Sequence, residues 1–199
     1  MAPTQDDDRS SQPGSRGRFP RWAYVLLALM LLLPAAWPVT VFGMFCLAVR
    51  REARDGTCLS NEKQLAMGLL AYTMDYDGRL PQSGTWPTQA RPYLKYAKGP
   101  EVFGCPNDRR PKPVAGIPWE RGQGLSYAMS EALLSKGLPA SAEATTTPLL
   151  FDCDLVPVAT PAQAVPRHGS SRKGTNVAFV DGHVAWMGPD WIIRQQGGK

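Results

Sequence analysis

His168, Asp181 and His183 are the side chains best suited to chemistry, because a metal-dependent hydrolase needs several such ligands to converge on one ion. With only 2 His in the chain, a metal site would also draw on Asp152, Asp154 or Cys153. The local pattern argues for a turn instead. Asp181-Gly182 sits inside "NVAFVDGHVAWM", between two apolar runs. There Asp-Gly marks a hairpin, since a type I′ loop needs positive φ and Gly adopts it without steric cost. His183 is then a strand residue beside a turn. Asp75-x-Asp77-Gly78 begins like a calcium loop but lacks the third acidic ligand and the distal Glu. No Gly-x-Ser-x-Gly elbow, phosphate-binding Gly loop or His-Glu-x-x-His is present. The expectation is no enzyme, no cofactor and no metal.

The hairpin fixes a predicted register. A two-residue loop sets Val180 against His183, Phe179 against Val184, Ala178 against Ala185 and Val177 against Trp186. Val177, Phe179, Val184 and Trp186 then form the core face. Leu125–Met129 and Pro148–Cys153 supply two further strand candidates. Upstream, Cys58, Leu65, Leu69, Tyr72 and Tyr76 fall at helical spacing, widened by Leu59, Ala66 and Leu70, and predict a helix over 50–77. Gly78 is its expected C-terminal cap, and Pro81 stops continuation. Residues 78–124 are rich in Pro and Gly and predict variable loops with one short helix, and 188–199 is a short tail. A long helix packed on a small antiparallel sheet, here over 125–187, is an α+β arrangement.

The 199 residues suit one domain plus appendages, and 43% apolar residues suffice for a core. Residues 1–21 have the composition of a flexible tail. Trp22 to Val49 carries no charge and predicts a transmembrane helix, since about 20 apolar residues cross the hydrocarbon core. Pro34 and Pro38 are expected to kink it. The rival is a cleaved signal peptide ending near Ala36, although Pro34 spoils its cleavage site. Basic residues flank both ends, so charge alone leaves the orientation tied. Residues 50–199 carry 18 Lys and Arg against 14 Asp and Glu, an excess read as dispersed over a solvated surface, with no nucleic-acid footprint.

The segments "CLSNEKQLAMGLLAYTMDYDGRLP", "VFGCPND", "LSYAMS", "LLFDCD" and "RHGSSRKGTNVAFVDGHVAWM" resemble, in order, those of bacterial pseudopilin-like proteins with the prepilin-type processing-associated His-x9-Asp-Gly domain. The matching positions are Asn61, Lys63, Gln64, Asp75, Gly78, Pro81, Cys105, Pro106, His168, Asp181, Gly182 and His183, and the resemblance covers about Ala48 to Met187. It implies a pilin-like fold associated with type II secretion or type IV pilus-like systems. It also implies a single-pass inner-membrane protein, N-terminus cytoplasmic, with residues 50–199 periplasmic or extracellular. The implied partners are the lipid bilayer and other pilin-like subunits or secretion-apparatus proteins. Two departures stand out. Twelve residues, not nine, separate His168 from Asp181, which places an insertion in "GSSRKGT". Phe19 follows Arg18 and precedes Pro20, and Ala23 stands where the family has Glu, so the N-terminal tail is expected to be retained.

The leading functional reading is a non-enzymatic membrane protein displaying this domain. The alternative is a surface-binding module for a polymer or protein, using the outer face of the sheet and the loops Asn107–Trp119 and Pro166–Thr175; Trp86 and Trp119 on one exposed patch would mark it. The third is a hydrolase on His168, Asp181 and His183. Position and family together favour a Cys58–Cys105 disulfide: Cys58 lies on the buried stripe, and Cys105 sits in a loop with little regular structure to hold it. Cys153 is the rival partner. Any such bridge argues for export to an oxidising compartment.

Overall fold

A computed structural model describes residues 20–95, 99–119, 123–169 and 173–197, with backbone only at 32–36 and 136. The expected tail and the Arg18-Phe19-Pro20 segment therefore lie outside the described residues, apart from Pro20 and Arg21. The chain divides into two units, Met1–Cys46 and Leu47–Lys199.

Helix α1 runs from Arg21 to Asp75. Among the described residues no helix is long and apolar enough to cross a membrane. This corrects the transmembrane span at 22–49, and with it the single-pass inner-membrane location.

The C-terminal part of α1 follows the predicted stripe. Cys58, Leu65, Ala66, Leu69 and Tyr72 are buried, while Tyr76, one turn beyond, is 48% exposed. The helix ends where expected: Asp77 and Gly78 both adopt positive φ, and the Gly78 N–H donates to Thr73 O at 2.8 Å. That bond satisfies a carbonyl the helix itself leaves open.

Five strands follow: β1 (Tyr127–Ser130), β2 (Pro148–Asp152), β3 (Val158–Ala159), β4 (Thr175–Phe179) and β5 (Val184–Met187). Their order is β3-β1-β2-β4-β5. The fold is α+β, but the sheet is mixed and not purely antiparallel, because β3 pairs parallel with β1. The end of β2 lies beside the first residue of β1, with Asp152 opposite Tyr127. A short connection that rounds β1 at that end can only run on in β1's direction.

The hairpin register is shifted by one residue from the expected one: Ala178 pairs with Val184, Val177 with Ala185, and Asn176 with Trp186. The loop holds three residues instead of two. Gly182 N–H donates to Phe179 O, and Phe179 N–H to His183 O, both at 2.9 Å. Gly182 has φ +83 while Asp181 does not enter the positive-φ region, so this is a β-turn followed by a left-handed glycine and not type I′. Tertiary bonds select this form, since Val180 N–H reaches Thr147 O and Asp181 N–H reaches Ala144 O. A one-residue slip exchanges faces. Ala178, Val180 and Val184 now pack with Leu65, Leu69, Met129 and Leu150 of the main core. Val177 and Phe179 join Ala128 and Phe151 on the opposite face, under Trp191 and Ile192 of helix α2 (Pro189–Gly197). Both faces of the sheet are covered, where the sequence suggested one.

Candidate functional site

The three ligand candidates separate. Asp181 Oδ1 accepts from the His183 N–H at 3.0 Å and lies 2.6 Å from His183 Nδ1. These bonds, the backbone one first, hold the Asp181 carboxyl below its usual range. The His183 ring stacks on Phe179 with centroids 4.4 Å apart. Lys63 Nζ donates to Gly182 O, tying α1 to the loop. Asp181, Gly182, His183 and Lys63 are thus joined in building the turn, and no metal-capable group among the described residues includes Asp181 or His183.

His168 stands elsewhere, 1% exposed. Its Nδ1 lies 3.0 Å from Asp55 Oδ1, and its Nε2 lies 2.8 Å from Asp152 Oδ2. Burial pushes the imidazole pKa down, but the hydrogen bond and charge of Asp152, followed by those of Asp55, outweigh it and raise the pKa above the ordinary histidine value. The ring therefore bridges α1 to the end of β2. Asp55 itself is pushed up by burial, yet the bonds from His168 and the Gly169 N–H hold it below the usual carboxylate range.

Around this bridge lies a layer of buried charge. Arg167 reaches Asp108 Oδ2 at 3.2 Å and Asp152 Oδ1 at 3.5 Å, bonds Asp154, and donates to Ser126 O at 2.8 Å. Asn107 Nδ2 donates to Asp55 Oδ1, and Asn61 Nδ2 donates to Gly104 O at 3.1 Å. The Cys58–Cys105 disulfide closes the same corner, with Cys105 Sγ 3.6 Å from His168 Nε2. Cys153 is a buried free thiol. Cys58, Cys105 and His168 form a group whose ligand atoms lie within 4.8 Å of one another. Zinc needs thiolates, and bonded sulfurs are not thiolates, so this trio ligates a metal only if the disulfide is opened.

The remaining motif residues serve structure. Tyr93 O–H donates to Asp75 Oδ2 at 2.8 Å, which pushes the phenol up to about 12. Gln64 Nε2 donates to Ser60 Oγ within α1. Pro81 is buried and Pro106 exposed beside the disulfide. Trp86 is buried, its Nε1–H bonded to Pro157 O, and half-buried Trp119 packs on Phe103. The aromatic patch expected of a polymer-binding face does not form from these two.

Sequence reasoning missed Asp55, Glu62, Asn107 and Arg167. Glu62 left a readable signal: it falls one turn after Cys58 on the apolar stripe. It is fully buried, and neither carboxylate oxygen has a hydrogen-bond partner among the described residues. Desolvation first, then the charge of Asp152, raises its pKa well above the ordinary value.

A pH prediction follows from the signs. A raised folded pKa means the folded state holds its proton longer, so stability is full below the unfolded pKa and declines as pH rises toward the folded one. For Glu62 the decline starts from about 4.5, and for His168 from about 6.5. Asp55 acts oppositely, its contribution falling away only at acid pH below about 3.8. Melting temperature is expected to fall from pH 6 to pH 9. Glu62→Gln is expected to raise it by several degrees at pH 8, since the amide cannot ionise and so escapes the cost of holding a buried carboxyl in its neutral form above its ordinary range. A gain as large at pH 4 as at pH 8 would contradict the assignment to the carboxylate. Comparison with protein-family models, curated proteins and solved structures finds no match for this chain.

Proposed function

We propose that the chain is a non-enzymatic, pilin-like subunit of a type II secretion or type IV pilus-like assembly, packed into it through the N-terminal part of α1. The observation that carries this reading is that Val25, Leu26, Leu29, Met30, Val41 and Phe42 are all exposed, although at 100° per residue they point around the whole helix. A helix apolar on every side is one that is buried in use. Equivalent helices of neighbouring subunits supply the cover. The resemblance of Ala48 to Met187 to pseudopilin-like segments supports the same reading. So does the engagement of His168, Asp181 and His183 in structural bonds.

Cys46, a free cysteine on α1, gives a direct test. Mild oxidation of the purified full chain is expected to yield a dimer linked through Cys46, absent in Cys46→Ser. Light scattering of the reduced protein is expected to show oligomers that the pair Leu29→Lys and Phe42→Lys converts to monomer. A monomeric parent chain at tens of micromolar overturns the proposal.

A further inference from the structure

Basic residues from three separate stretches of the sequence converge on one cavity. Its volume is about 640 Å³, within the range of small-molecule sites, and it is lined by Arg51, Arg54, Arg109, Lys173, Arg167 and Asp55 among others. Arg167 is already neutralised by Asp108, Asp152 and Asp154. Asp55, the one carboxylate among the described lining residues, is engaged by His168, Asn107 and the Gly169 N–H. Arg51, Arg54, Arg109 and Lys173 have no ion-pair partner among the described residues.

The floor beneath these cations is held in place. Arg167 is 6% exposed and bonded to three acids, and the disulfide and the Asp55–His168–Asp152 bridge join α1, the Cys105 loop and β2 behind it. Like charges brought together inside a cleft repel, and the cleft focuses their field toward an anion. Guanidinium groups match phosphate oxygens in bidentate geometry, which favours a phosphoanion. Cations on separate walls match more than one negative charge. Among the described residues no aromatic ring lines the cavity to stack a base, which argues against nucleic acid.

We propose that this cavity binds the phosphate groups of a small di- or oligophosphate. The site lies wholly within Leu47–Lys199 and does not depend on the subunit reading above.

The test is calorimetric titration of the full chain at a fixed ionic strength of about 0.1 M, where salt screens dispersed surface charge. Inorganic pyrophosphate and a nucleoside diphosphate are the probes, with sodium chloride at matched ionic strength as control. Saturable one-to-one binding of either probe is expected. Equal binding of the two assigns the phosphates alone as ligand, and tighter binding of the nucleotide assigns an esterified source. Arg54→Gln and Lys173→Gln are each expected to weaken binding about tenfold, or about 1.4 kcal/mol. Arg194→Gln, the same charge change away from the cavity, is expected to leave it unchanged. Arg109→Gln serves if either first variant melts early. The absence of saturable binding, equal weakening by Arg194→Gln, or binding of duplex DNA alone overturns the proposal.

Discussion

Arg167→Met is expected to destabilise the domain by about 3–5 kcal/mol, the range for removing one member of a buried ion pair. The substitution keeps much of the side chain's apolar stem but removes the positive charge that faces Asp108 and Asp152, whose side chains are 6% and 0% exposed. Both carboxylates then stay buried without their cation. His168 remains beside Asp152 at 2.8 Å, so the loss stops short of what an isolated pair of charges would suffer. Asp154 behaves differently: its side chain is 55% exposed, and Asp154→Asn is expected to cost less than about 1 kcal/mol. Chemical denaturation of the three proteins checks this order. Adding Asp152→Asn to Arg167→Met is expected to recover part of the loss, because the removed charges were coupled. Additive losses in the double variant would show that Arg167 acts by packing and not by charge.

Replacing Cys58 and Cys105 by Ala is the second large change. The bridge links residues 47 apart in sequence, and in the chain-entropy model a loop of that length is worth roughly 4 kcal/mol. The structural share is local. Asn61 holds Gly104 O, and the Ser126 N–H holds Phe103 O, so the Cys105 loop keeps some anchorage without the bridge. The expected result is a folded but weakened domain, with its melting temperature lowered by about 8–16 °C. Val102 and Phe103 of the loop belong to the main core, and their backbone amides should become accessible to hydrogen exchange first. Cys153→Ala is the control, since its thiol is free and its loss removes no cross-link. A double Cys variant as stable as the parent would mean that the bridge does not form in the protein as made.

What the residues determined alone is local. The buried stripe from Cys58 to Tyr72, the helix stop at Gly78 and the strands around Tyr127, Leu150, Val177 and Ala185 follow from helical and strand periodicity and from the conformational freedom of glycine. The Cys58–Cys105 pairing was favoured over one with Cys153 by position, one partner facing the domain and the other in a loop that needed an anchor, together with the family resemblance. Tertiary structure decided what depends on partners distant in sequence. The Asp181-Gly182 loop took its three-residue form because Ala144 and Thr147 carbonyls offered bonds to it, and that choice exchanged the faces of the hairpin. β3 joined β1 in parallel because of where β2 ended. The apolar segment 22–49 suggested a membrane crossing from composition, whereas no described helix meets the length and apolarity a crossing requires. Most of all, charges read as dispersed along the chain came together in space. Arg51, Arg54, Arg109 and Lys173 share a cavity, while Glu62, Asp152, Arg167 and His168 share an interior. Periodicity reports which way a side chain points within its own element. It carries no information on which charge from another element it will meet, and electrostatic energy depends on that distance.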